Sequence, residues 1–397
     1  MEVVISGNIL GTLNHLSHDG EKFRWVSDIP SDAWVFGSED IVRDIGHVAL
    51  ATGKEVLDFS SSPYGRSNDI IFGKSNVNIP WMHVLPSKAF HKLLSGILDQ
   101  LWCVLDSEHD SYYMNQFLSN RELLMKLQSP HIDVPALREI LKNKTAKSDE
   151  VLKFLPSHGE ISPKTSYSQI NSITGRLTVK SGPNILTLKR EHRKILKSRF
   201  SSGKIIQIDI SSLEPRIALS VAGKDSPEDI YNFVGKNVLH NRLTRDQVKI
   251  AVLSCMYGAS SWSLSKNLPA ELDAKEILYE IKRYFKISRL KSSLEKEFEL
   301  LGHIKNLYKR PIMSRDSVVN HYLQSSGVDV SFNVFSQILE SLSLLKIDFV
   351  PVYVIHDAIV LDIRSQDYDK IIELTKQGYK VDNLDCIFPV KVEVIKE

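Results

Sequence analysis

Two short apolar segments, KIIQIDI at 204–210 and PVYVIHDAIVLDI at 351–363, each carry an aspartate in a setting that disfavours charge. Asp209 comes near the end of the first, and Asp357 sits at a His-Asp turn that splits the second into two strands. A carboxylate is costly to bury unless it is paired, hydrogen-bonded or bound to a metal. Between the two segments the chain is dominated by helical periodicity. A sheet containing both must be assembled from distant parts of the chain around a long helical insertion, which predicts an α+β fold. Two carboxylates brought together by such a sheet repel, and a divalent cation relieves both. Hard oxygen ligands of this kind suit Mg²⁺, which takes one or two protein carboxylates and keeps room for substrate phosphates. Taken singly, each aspartate also has a plainer reading, Asp209 as a helix N-cap and Asp357 as a turn residue.

With 397 residues, 42% hydrophobic and 25% charged, the composition is that of an ordinary globular protein of two or three domains. No apolar run reaches the roughly 18 residues of a transmembrane helix, and MEVVISGNILGTL lacks the basic start of a secretory signal. The expected compartment is the cytoplasm of a cell or an infected cell, with no membrane partner. Cys103, Cys255 and Cys386 are widely spaced, which excludes a disulfide framework and a CxxC zinc site. The net charge of +2 is too small to announce a nucleic-acid partner. Its distribution is more informative: residues 189–204 hold seven Lys/Arg and one Glu, and KNLYKRPIMSR covers 305–315. Charge runs of this kind fit solvated helix faces and phosphate contacts equally well.

Along the chain, residues 1–105 read as mixed α/β, with strand-like EVVISGNI, AWVFG and EVLDFSS and an amphipathic helix over 89–102. Residues 111–128 and 135–154 are expected to be helical, and 156–172 loop-rich. SSLEPRIALSVAG reads as a helix with a Ser N-cap, ended by Gly223. Residues 329–345 form another helix. The best-defined helix spans 244–257, opened by the T-x-x-Q capping box of Thr244 and Gln247. On it Arg245, Lys249 and Leu253 share a face, with Met256 close by and Tyr257 at the end. Two cations one turn apart could grip successive phosphates, or could simply be solvated.

These segments, in this order, resemble family A DNA polymerases, the group of bacterial DNA polymerase I and many phage replicases. TGRL at 174–177 with GPN at 182–184 resembles TGRLSS…PNLQNIP, and IQIDISSLEPR at 206–216 resembles motif A, DYSQIELR. RDQVKIAVLSCMYG at 245–258 resembles motif B, RxxxKxxxFxxxYG, and IHDA at 355–358 resembles motif C, VHDE. GHIKNLYKR (302–310) and NHYLQSSGVD (320–329) match two further family segments. The resemblance implies a polymerase right hand: an antiparallel-sheet palm (166–222 and 315–397), helical fingers (223–314) and a rudimentary thumb (135–165). The polymerase domain would span 111–397, after an N-terminal α/β region (1–110) of unknown role, a degenerate exonuclease or a separate binding module.

The resemblance also implies roles. Asp209 and Asp357, with Ile210 beside Asp209, would form the ligand set for two Mg²⁺ ions. Arg245 and Lys249 would bind the incoming triphosphate, and Tyr257 would stack near the nascent base pair. Glu214 would exclude a 2′-OH. Leu253 and Tyr231 would also border the nucleotide, Tyr231 falling where relatives carry a His. Arg176, Asn320, Gln324, Arg216 and His356 would contact DNA. Three departures stand out: Leu253 where relatives often have Phe or Tyr, Ala358 in place of a Glu, and a short interval from Asp133 to Thr174 where relatives place a long thumb. The expected function is template-directed DNA synthesis from dNTPs on a primer–template, without proofreading, by a monomer with a processivity or replisome partner. The DxE at Asp106-Ser-Glu108 lies too near the polymerase to begin an exonuclease. The alternatives are a single-subunit RNA polymerase, disfavoured by Glu214, and a non-catalytic DNA-binding replication accessory.

Overall fold

The computed structural model describes residues 2–396 except Gly11, Glu39, Gly53, 55–84, 107–110, 144–147 and Ser157. The strand expected at EVLDFSS and Glu108 of the DxE fall outside the described residues. The chain divides into two compact units, Met1–Met125 and Lys126–Glu397.

In the first unit a four-stranded sheet runs in the order Phe23–Val26, His15–His18, Val3–Ile5, Trp34–Phe36. The last two strands are parallel and the others antiparallel. Val3, Val4, Ile5 and Val35 are fully buried. The helix Ser87–Asp106 buries Leu94, Ile97, Leu98, Leu101 and Val104, one face at helical spacing. The helix Ser111–Lys126 is tied to this unit: Tyr113 OH donates to Ala51 O at 3.3 Å, and Arg121 donates to Ile41 O at 2.8 Å and Val42 O at 3.0 Å. The division therefore falls after Met125 rather than after residue 110.

The second unit is built on a four-stranded antiparallel sheet in the order Phe349–Ile355, Ala358–Arg364, Gly203–Ile210, Val390–Lys396. The two aspartate-bearing segments pair directly, from Ala358 opposite Asp209 to Arg364 opposite Gly203. Side chains alternate along a strand, so Ile205, Gln207 and Asp209 share one face. At its Ile205 end this face is covered by Ile132, Leu137, Ile140, Val151, Phe154 and Ile195, all packed with Val352, Tyr353 and Val360. Within 135–165, expected as a rudimentary thumb, Leu137, Ile140, Val151 and Phe154 are thus packed against the sheet. Asp133 caps the helix Val134–Lys142 by accepting from Ala136 N at 3.0 Å.

Helices from Leu213 to Leu344 fill the interval between the strand and the hairpin. The capping box of Thr244 and Gln247 forms as expected. Ser212 behaves differently: it precedes the helix Leu213–Val221 with φ 56° and makes no side-chain cap. The helix expected at 329–345 begins earlier, at Val318. Its interior Gly327 lets Leu213 approach, since an added Cβ would lie 3.3 Å from Leu213 Cδ2. Among the described residues no helix is long and apolar enough to cross a membrane.

Candidate active site

A cleft of about 730 Å³ opens at the Asp209 end of the sheet. The local fold of the hairpin sets its floor. His356 takes a left-handed φ of 55°, which allows the chain to reverse over two residues between Ile355 and Ala358. Asp357 then lies beside the end of the central strand, where Ile210 N–H donates to its carbonyl at 3.0 Å. Asp209 and Asp357 are brought together in this way, both lining the cleft. Burial, then the charge of Asp357 and of Glu393, push the Asp209 carboxyl up to about 7, against the pull of Lys249 and Arg190. Burial also raises Asp357, with Arg176 and Lys249 acting against it. Two hard oxygen donors whose charges oppose each other in a shielded place fit a divalent cation, which reverses the sign of both penalties. Among the described residues no group of three or more His, Cys, Asp or Glu is placed to hold a metal. The donor set therefore fits an ion that completes its shell with water or phosphate oxygens, as Mg²⁺ does.

One wall is the helix Arg245–Met256. It buries Val248, Ala251, Val252, Cys255 and Met256, and turns Arg245, Lys249 and Leu253 to the cleft. Met256 is thus a core residue and not part of the cleft face. Tyr257 ends the helix, and its hydroxyl donates to Glu214 Oε1 at 3.4 Å. Arg176 Nη2 lies 3.6 Å from the same oxygen. Burial and the Asp357 charge raise the Glu214 carboxyl above its ordinary value, while Arg176 and Tyr257 act in the opposite direction. Arg245 Nε pairs with Asp229 Oδ2 at 2.9 Å, and its Cζ lies 5.5 Å from the Tyr231 ring centroid.

Arg176 is supported from below. Gly175, at φ +71°, rests on the Arg310 guanidinium so closely that an added Cβ would fall 2.5 Å from Cζ. Arg310 is buried beside Asp329, with Nε 3.9 Å from Oδ2, and Asn306 Nδ2 donates to the same oxygen at 2.7 Å. Part of the 305–315 basic run is therefore internal scaffolding. The 189–204 run is divided: Arg199 pairs with the buried Asp362 at 3.2 Å and Lys197 with Glu160 at 2.7 Å, while Arg190 and Arg193 line the cleft.

Tyr231, Ile210, Gln324 and His356 also reach the cleft. Two expected DNA contacts do not. Arg216 is 2% exposed, and its guanidinium donates to three backbone carbonyls: Ser211 at 3.0 Å, Glu228 at 2.7 Å and Ile387 at 3.4 Å. It fastens the strand end to distant loops rather than facing a ligand. Asn320 lies off the cleft lining, its side-chain oxygen enclosed without a donor. Sequence reasoning missed Gln207, Lys391 and Glu393, which border Asp209 on the sheet. Gln207 was findable, because a polar residue two before Asp209 shares its face. Arg193 Nη1 donates to Gln207 Oε1 at 3.1 Å, and Arg190 pairs with Glu393.

No curated protein sequence matches the chain. Among solved structures, the POL domain of Pol1 from M. smegmatis, in complex with DNA primer-template and dNTP, is similar in fold. The TM-score is 0.50 at 17% identity, covering 89% of this chain and 63% of that chain. The chain thus spans less than two thirds of that relative's length. A sequence model of DNA polymerase family A matches residues 99–396, and by this match the chain belongs to DNA polymerase family A.

Proposed function

We propose that the protein is a template-directed DNA polymerase that adds dNTPs to a primer 3′-OH. The observation that carries this reading is the convergence, in one cleft, of two charge-opposed aspartates with the two cations of one helix face. Neither the aspartates nor Lys249 serves the packing of the core, and their proximity costs stability unless a cation and an anionic ligand enter together.

Asp209 and Asp357, with the Ile210 backbone, would hold the two Mg²⁺ ions. These would supply Lewis-acid stabilisation of the phosphoryl oxygens and lower the pKa of the primer hydroxyl. Arg245 and Lys249 neutralise the phosphates as charge develops in the transition state. The Tyr257 ring borders the nascent base pair. Glu214, held by Tyr257 and Arg176, fills the space that a 2′-OH would need. Arg176 and Gln324 face the duplex minor groove, where acceptors are common to all correct pairs and shape rather than sequence is read. Leu253 lies between Lys249 and Tyr257 on the same helix face, toward the sugar.

Primer extension tests the reading: a defined DNA primer–template with Mg²⁺, dNTPs against rNTPs, wild type against Asp357→Asn. Extension with dNTPs alone, lost in the variant, is expected. Extension with rNTPs would favour an RNA polymerase. Primer–template binding without extension would favour a DNA-binding accessory. We further infer a need for a processivity partner, because Leu137, Ile140, Val151 and Phe154 of the expected thumb are docked on the sheet. Extension in the presence of a trap is then expected to give short products from a single binding event.

A further inference from the structure

The residues around Arg245 carry an inference that rests on the polymerase reading and deepens it. Arg245 is held on two sides by side chains of one short segment. Asp229 reaches its Nε with Oδ2 at 2.9 Å, while Oδ1 of the same carboxylate caps the helix Ile230–Asn237 by accepting from Asn232 N at 3.0 Å. The Tyr231 ring lies beneath the guanidinium at 5.5 Å. Burial raises the Tyr231 phenol above its ordinary value, with the Ser212 side chain, at the end of the aspartate-bearing strand, acting against it. Tyr231 is only 5% exposed, so its ring is a fixed surface.

The geometry of a guanidinium makes this arrangement directional. It is a planar fork, and a carboxylate on Nε leaves terminal nitrogens to donate elsewhere. Arg245 lines the cleft whereas Asp229 does not. The pair therefore does not block the cleft. It holds a flexible cation at one edge of it, with an aromatic surface limiting rotation out of plane. A side chain ordered before binding loses less entropy when the ligand arrives.

We propose that Asp229 and Tyr231 are positioning residues that aim Arg245 at the triphosphate. In this arrangement Tyr231 acts on the nucleotide through Arg245.

The test is a double-mutant cycle in single-nucleotide primer extension, with Asp229→Asn, Tyr231→Phe, Arg245→Ala and the pairwise combinations, beside equilibrium binding of dNTP and dNMP. Asp229→Asn keeps the helix cap, since Asn is an equal N-cap residue, and removes the charge. For a half-exposed ion pair, its KM for dNTP is expected to rise about three- to five-fold, with kcat little changed and dNMP binding unaffected. Tyr231→Phe should raise KM less. In the Arg245→Ala background neither substitution should act further, because coupled residues are not additive. Asp229→Ser, which also caps, serves if the Asn variant is poorly folded. An unchanged or lowered KM in the Asp229 variants overturns the proposal. So does a Tyr231→Phe effect that persists without Arg245, which would place the hydroxyl on the nucleotide. If wild type neither binds nor incorporates dNTP, the polymerase reading fails and this proposal with it; a wild type that extends normally beside silent variants defeats the positioning role alone.

Discussion

The two ends of one strand face show how this sheet divides its tasks. At one end, Ile205 is 3% exposed and sealed beneath Leu137, Ile140 and Ile195. Two positions further along, Gln207 and then Asp209 carry polar groups on the same face, and the packed cover gives way to a cleft. The sealed end is stabilised by burial of apolar surface, at roughly 25 cal/mol per Å². The open end concentrates carboxylates, and the Asp357 charge raises both Asp209 and Glu214 above their ordinary values. A strand that is stable overall can thus hold an unfavourable charge cluster, provided that its other end is well packed. Function at the open end depends on stability at the closed one.

The comparison breaks most sharply at Asp209. Asp209→Asn is expected to lower kcat by about three orders of magnitude, the equivalent of several kcal/mol of transition-state stabilisation. The same change should stabilise the metal-free protein by about 1 kcal/mol, as is common when a functional charge is removed. The sign follows from the raised pKa. The Asp209 carboxyl, at about 7 in the folded protein against 3.8 ordinarily, disfavours folding above pH 7. That penalty is relieved as the pH falls through 7 toward 4. Thermal melts of the metal-free protein at pH 5 and pH 8 should therefore show a smaller gap between variant and wild type at the lower pH. At the closed end the expectation reverses: Leu137→Ala should cost about 2–5 kcal/mol of stability and leave kcat unchanged well below the melting temperature. A Leu137→Ala variant that melts like wild type would show that residues 134–154 do not hold the sheet.

Gly175→Ala sharpens the boundary between scaffold and site. The alanine meets both a left-handed φ and the Arg310 guanidinium, a strain of about 1–3 kcal/mol. Because Arg176 follows directly, the KM for primer–template should rise roughly ten-fold, measured by extension at fixed dNTP. A loss of stability with no change in that KM would separate the turn from DNA binding.

Much of the open end was legible in the sequence, because its signals are local. An aspartate on an apolar strand, a His-Asp turn and a capping box each declare themselves within a few residues, and the order of the motifs did the rest. What was not legible depends on partners far along the chain. Arg216 matches a family position, but its carbonyl acceptors at Glu228 and Ile387 take it out of the cleft. Residues 135–154 read as helical, but that reading does not say what Leu137, Ile140, Val151 and Phe154 pack against, which is the sheet. Asp229 carries no signal of its own: it reads as an N-cap, and its second oxygen matters only because the fold places Arg245 beside it. The helix starting at Val318 was read as beginning later because Ser325, Ser326 and Gly327 weaken its periodicity. In the first unit the strands are three or four residues long, too short for alternation to separate core from surface.

The smallest expected effect concerns the residue that most departs from the family pattern within the site. Leu253 stands one turn after Lys249 and one turn before Tyr257, on the cleft face of a helix that buries Val248, Ala251, Val252, Cys255 and Met256. An aromatic ring there would add a flat surface against the sugar without disturbing Val252 or Cys255 behind it. Leu253→Phe should therefore leave stability within about 0.5 kcal/mol. It should shift the preference between natural and sugar-modified nucleotides by about five-fold, the scale of one small apolar contact. The measurement is the ratio of kcat/KM for the two nucleotides in each enzyme, which cancels changes in primer–template affinity. Equal ratios would show that Leu253 borders the cleft without touching the sugar.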